Sequence, residues 1–172
     1  MSFSPPPPER LLAVCSFFPE LLQKRGWVTA IFGKWHMGMF KKEYLPTSRG
    51  FNFSTGMLSG ASDHYSHVVE GAYDWHAMDQ PNFGAAGRYA GNLVRDDALA
   101  FIEKVSGAGG SSAQPFFLYL PFQECHSPFQ VDANYTDFYP HLVKLTHNLP
   151  SRVIDCSGCT MHLQLLLKVA HN

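Results

Sequence analysis

The chain has 172 residues, enough for one domain and short for two. Apolar residues make up 45% and charged ones 16%, which excludes a chain disordered throughout and leaves material for a sizeable core. The net charge of −1, from 13 basic and 14 acidic side chains, excludes the basic footprint of a dedicated nucleic-acid binder, and no apolar run approaches the ~18 residues of a membrane-spanning segment.

Ser4 to Pro8 is a polyproline stretch, predicted to be extended or disordered. Leu11 to Phe18 is apolar but short and lacks the basic start of a secretory signal. Pro19 to Arg25 is a predicted short helix, with Pro in its first turn, basic residues in its last and Gly26 as its stop. Trp27 to Phe32 is rich in β-formers and predicts a buried strand. Gly33 to Met39 leaves that strand as a tight segment. Leu45 to Gly60 and Asp63 to His76, both broken and aromatic, predict long structured loops.

Gly87 to Val105 carries apolar residues at helical spacing, with Asp96 and Asp97 read as surface charge. Gly107 to Ser112 is a turn, and Pro115 to Phe122 is an almost unbroken apolar strand of the type found inside parallel sheets. The alternation of helices and strands predicts an α/β fold. Beyond about Pro140 the character changes to a tail containing histidine and cysteine, in which Met161 to Ala170 is a predicted helix. The organisation is therefore a Pro-rich segment over 1–18, a domain over 19–139 and a divergent tail over 140–172.

Chemistry concentrates after the two strands. In an extended segment alternate side chains share a face, so Lys34 and His36 would point one way and Trp35 would anchor the other. A lysine is a compact cation suited to an oxyanion, and a histidine moves protons near neutrality. Gln123 to Pro128, with His126, follows the second strand, and ligands of open α/β sheets sit at such carboxyl ends. His64, His67 and His76 in the aromatic loop either shape selectivity or pack as ordinary loop residues. Cys156-x-x-Cys159 with His162 offers three of the four ligands of a zinc site. Four scattered cysteines make no dense disulfide framework.

The run Trp27 to Gly38, with Gly33-Lys34-Trp35-His36-Met37-Gly38 at its end, then Leu45 to Phe51, then Gly56 to Gly60, resembles the sulfatase family, in particular its arylsulfatase B-like branch. Pro115 to Val131 is similar to the family's strand that ends in a histidine–proline segment. The resemblance covers about Pro19 to Tyr139. It implies a partial alkaline-phosphatase/sulfatase-like mixed sheet with flanking helices. It also implies a sulfuric ester hydrolase of the arylsulfatase type, acting on aryl or sugar sulfates, in a lysosomal or secreted setting. Lys34 would hold the sulfate, His36 would assist the nucleophile, and His126 would contact the sulfate or protonate the leaving oxygen. The family's nucleophile is a formylglycine, and the family holds a calcium ion against the sulfate.

The sequence departs from that pattern. The motif Cys/Ser-x-Pro-x-Arg that carries the formylglycine is absent, and the family's paired aspartates and downstream Asp–Asn pair have no match. The expectation is the middle third of a catalytic domain, inactive alone, with uncovered sheet edges that favour self-association. Two other readings stay open. One is a non-catalytic protein that binds sulfated glycans or a partner, and the other is a small metal-binding protein built on the tail. Asn52-Phe53-Ser54 and Asn134-Tyr135-Thr136 match the glycosylation acceptor pattern, which matters if the chain enters the secretory route.

Overall fold

A computed structural model describes residues 16–107, 114–124 and 126–131, and the backbone of a strand over 164–168. The first helix, α1 (Phe18–Gln23), starts from an extended Phe17 with Pro19 in its first turn. Strand β1 (Val28–Phe32) follows. Short 3-10 turns at Lys42–Tyr44 and Pro46–Arg49 lead to β2 (Phe53–Gly56). Four two-residue strands come next: β3 (Val68–Val69), β4 (Ala72–Tyr73), β5 (His76–Ala77) and β6 (Gln80–Pro81). The long helix α2 (Ala90–Val105), then β7 (Phe116–Leu120) and β8 (Gln164–Lys168), complete the described elements.

The main sheet has the order β6-β5-β2-β1-β7-β8. β1 lies parallel to β2 on one side and to β7 on the other, with Ala30 opposite both Phe53 and Leu118. β5 and β8 run antiparallel to β2 and β7, so the sheet is mixed. A separate β3–β4 hairpin stands beside it.

The period of two sorts β1 and β7 between two cores. Ala30, Phe32, Phe116, Leu118 and Leu120 face one cluster, closed by Leu93, Val94, Ala98, Phe101 and Val105 of α2. Ile31 and Phe117 face the other, with Leu22 of α1, Trp35 and Phe51. A helix therefore covers each face, which is why the central strands read as continuous apolar runs.

Three expectations change. The stretch 45–60 is not all loop, since it holds β2, the parallel neighbour of β1. The stretch 63–76 holds the β3–β4 hairpin and the start of β5. Residues 164–168 form a strand and not a helix, because their backbone pairs with the open side of β7, from Phe116–Lys168 to Leu120–Gln164. The polyproline stretch, most of the turn at 107–112, the second acceptor site at Asn134 and the Cys156/Cys159/His162 cluster lie outside the described residues.

Candidate oxyanion site at the strand ends

The parallel strands β2, β1 and β7 end side by side, and the backbone beyond them stays knitted together. Gly33 N–H donates to Thr55 O at 2.8 Å, Lys34 N–H to Pro121 O at 2.8 Å and Trp35 N–H to Met57 O at 2.9 Å. The donors alternate between neighbours, as in a strand. The alternation breaks at His36, whose N–H turns back to Leu58 O at 3.1 Å and whose φ is 51°. The predicted alternation of faces therefore ends one residue early. Two glycines permit this closeness. A Cβ on Gly33 (φ 128°) would lie 2.2 Å from Pro121 O, and one on Gly56 (φ 141°) would lie 1.9 Å from Gly33 O.

Trp35 is buried, and its Nε1–H is shared between Gly38 O at 3.0 Å and Tyr44 O at 2.9 Å. That fixes the two residues around it. Lys34 is half-buried, and this burial pushes its ammonium pKa down from the usual lysine value. A desolvated ammonium of this kind gains from an anion placed beside it. His36 is exposed, and its ring packs over Gly60, where a Cβ would come within 2.7 Å of Cε1.

The segment after β7 is clamped to the loop after β2 by two glutamines. Gln123 is buried; its Nε2 donates to Ser62 O at 2.6 Å and its Oε1 accepts from Ser62 N–H at 3.1 Å. Gln130 accepts from His64 N–H at 2.7 Å and donates to Asp63 Oδ2 at 2.6 Å. Asp63 also receives Ser66 N–H and Tyr65 N–H, and these bonds hold its carboxyl far below the usual range. His126 rides exposed on this clamped segment. Its Nδ1 donates to Ser127 O at 2.8 Å, which leaves Nε2 for another partner. Lys34, His36 and His126 thus all follow the carboxyl ends of adjacent parallel strands.

The other histidines divide. His64 and His67 are 1% and 0% exposed, and burial pushes both imidazoles below 6.5. His64 stacks on Tyr89 at 5.4 Å, while His67 packs on Trp75 at 4.5 Å and its Nε2–H meets Ala85 O at 3.1 Å. Both belong to packing. Asp97 corrects the expectation of surface charge: it is half-buried beside Thr55, and burial raises its pKa. Asp96 is the solvated member, paired with Arg88 and Arg95.

The residue that the sequence does not announce is Asp74. It is buried, and accepts Leu58 N–H on Oδ1 and Ser59 N–H on Oδ2, both at 2.9 Å, with His76 Nδ1 at 3.4 Å. Burial alone would raise its pKa, but His76, Ser59 and the Leu58 N–H outweigh it and hold the carboxyl at about 2. Asp74 thereby fixes the loop whose Leu58 carbonyl and Gly60 backbone hold His36. Its backbone partners lie 15 and 16 residues away, beyond any local pattern.

Among the described residues no three His, Cys, Asp or Glu side chains gather in a way that could hold a metal ion. The described residues do not fit the calcium that the resemblance implies, and no step is routed through it. None of the described helices is long and apolar enough to cross a membrane. What the arrangement offers is a cation and two imidazoles on the segments that follow two adjacent parallel strands, residue types suited to an oxyanion and to proton transfer beside it.

Residues 2–156 match the family model described as Sulfatase. The chain is 27% identical to Arylsulfatase J of Mus musculus over 147 residues, which cover 84% of this chain and 24% of that protein. It is 30% identical to Arylsulfatase G of Rattus norvegicus (65% of this chain, 26% of that protein). It is 31% identical to N-acetylgalactosamine-6-sulfatase of Canis lupus familiaris (64% and 22%). The chain thus spans about a quarter of the length of these relatives. In structure it is similar to Ps i-CgsB, crystallised in complex with k-i-k-neocarrahexaose. The TM-score is 0.64 at 21% identity, covering 83% of this chain and 32% of that one, which is a likeness of fold.

Proposed function

We propose, from the premise that this chain belongs to the sulfatase family, that it carries the sulfate-holding part of a sulfuric ester hydrolase of the arylsulfatase type. Its substrates would be aryl or sugar sulfates, the classes named for its relatives. The observation that carries this is the half-buried Lys34 ammonium, tied at its backbone to Pro121 of the segment that leads to His126.

In hydrolysis of a sulfate monoester the sulfur–oxygen bond to the leaving group breaks, and negative charge grows on the departing oxygen. Lys34 Nζ supports the sulfate oxygens through charge-assisted hydrogen bonds. His126 has Nδ1–H occupied by Ser127 O, so its Nε2, when protonated, donates to the leaving oxygen. His36, positioned by Leu58 O and Gly60, accepts a proton on the side of the nucleophile. The formylglycine motif does not occur in these 172 residues, and no step is assigned to it. A second reading is that this stretch binds sulfated ligands without turning them over.

Calorimetric titration with inorganic sulfate tests the core of both. Lys34→Ala is expected to weaken binding at least tenfold. In the unsubstituted chain, sulfate affinity should fall as pH rises through a lysine pKa below 10.5, because burial lowers it and only the charged form holds the anion. Equal affinity in the variant would contradict the assignment. Turnover of a chromogenic aryl sulfate that is lost on Lys34→Ala would favour hydrolysis over binding alone.

A further inference from the structure

Four residues beyond His36 the chain opens into a cleft of about 270 Å³, lined by Met39, Phe40, Lys41, Lys42, Leu45, Asp79 and Gln80. One wall is the segment that leaves the candidate oxyanion site, and the other is the turn between β5 and β6. A hydrogen bond from Thr47 Oγ1 to Asp79 Oδ1 ties the two walls. Phe40 is 84% exposed, the most exposed large apolar side chain among the described residues. Lys41 and Lys42 are both exposed beside it. An exposed aromatic ring, two ammonium groups, a carboxylate and an amide on one small concavity are an unusual combination for inert surface.

We propose that this cleft is a second binding site, taking an anionic sugar unit of the glycan whose sulfate ester is held at Lys34. The inference rests on that reading of Lys34. The apolar face of a pyranose ring lies flat on an aromatic side chain. Lys41 and Lys42 pair with a sulfate or carboxylate on the same sugar unit. Gln80 and the second carboxylate oxygen of Asp79 take hydroxyl groups. Chain geometry bounds the spacing: the six residues from Lys34 to Phe40, even fully extended, span at most about 22 Å. The two sites are therefore close enough for one short oligosaccharide to reach both, and the gain from joining them is an effective-concentration gain.

The test is calorimetric titration of the 172-residue chain with four probes: inorganic sulfate, a sulfated monosaccharide, a sulfated tetrasaccharide and linear polyphosphate. The tetrasaccharide is expected to bind at least tenfold more tightly than the monosaccharide. Phe40→Ala, and separately Lys41→Ala with Lys42→Ala, should remove most of that gain and leave the affinity for inorganic sulfate unchanged. These side chains are exposed, so the variants should fold. A tetrasaccharide affinity unchanged by both variants overturns the cleft, as does polyphosphate bound as tightly as the tetrasaccharide and unaffected by Phe40→Ala. If Lys34→Ala leaves sulfate binding intact while the cleft variants still lose the tetrasaccharide, the oxyanion assignment fails and the cleft stands as a glycan site. If sulfate binds through Lys34 and the longer ligand gains nothing, the cleft fails alone.

Discussion

At the scale of single residues, the sheet end is ordered by polar side chains with few alternatives. Asp74 has two oxygens and two backbone N–H groups to receive, from Leu58 and Ser59. Asn at this position offers one acceptor, so one N–H would face an NH2 group in a buried setting. Asp74→Asn is expected to cost about 1–3 kcal/mol at neutral pH in urea unfolding. The carboxyl sits at about 2 in the fold, against roughly 3.9 in an unfolded chain. A depressed acid contributes stability that is complete above the unfolded value and is lost as pH falls through the folded one. The gap between the two proteins should therefore narrow between about pH 4 and pH 2. A gap that is constant down to pH 2 would show that the charge of Asp74 is not what matters.

At the scale of elements, β1 is held between two parallel neighbours whose ends touch through glycine. Gly56→Ala adds a Cβ 1.9 Å from Gly33 O at a φ of 141°, where neither backbone can yield cheaply. The expected loss is roughly 3 kcal/mol or more. Gly71→Ala is the matched control: its φ is 84° but nothing lies within 4 Å, so only about 1 kcal/mol of backbone strain should appear. Similar losses in denaturant unfolding would contradict the packing described. This junction also marks what the sequence can disclose. β1, β7 and α2 were legible because burial on both faces, or on one stripe, writes a periodic apolar pattern. So was the position of Lys34 and His36 on a glycine-flanked segment directly after β1, though not the turn at His36. β2 was not, because the four residues Phe-Ser-Thr-Gly are too few to write a strand pattern and pair with β1 only in the folded chain. Asp74 and the Gln123–Ser62 and Gln130–His64 clamps were illegible for a related reason, since their partners meet only once the sheet has formed.

At the scale of the molecule, among the described residues the main sheet ends at β6 and β8, and several large apolar side chains are exposed, among them Phe18, Phe83, Leu99 and Phe129. Edge strands and apolar patches together favour association. Sedimentation velocity is expected to show a weight-average mass that rises above the monomer's 19.2 kDa with concentration. A strictly monomeric chain across that series would show that these surfaces do not pair with themselves. The family assignment does not depend on this outcome. It rests on the match over residues 2–156.

Nuclear magnetic resonance titration of the labelled chain with inorganic sulfate addresses the proposed common anion site most directly. The Lys34 Cε signal and the imidazole signals of His36 and His126 should move together along one binding curve, with those of the packed His64 and His67 moving less. Independent curves for the three side chains, or a response confined to one of them, would mean that they do not serve a common ligand.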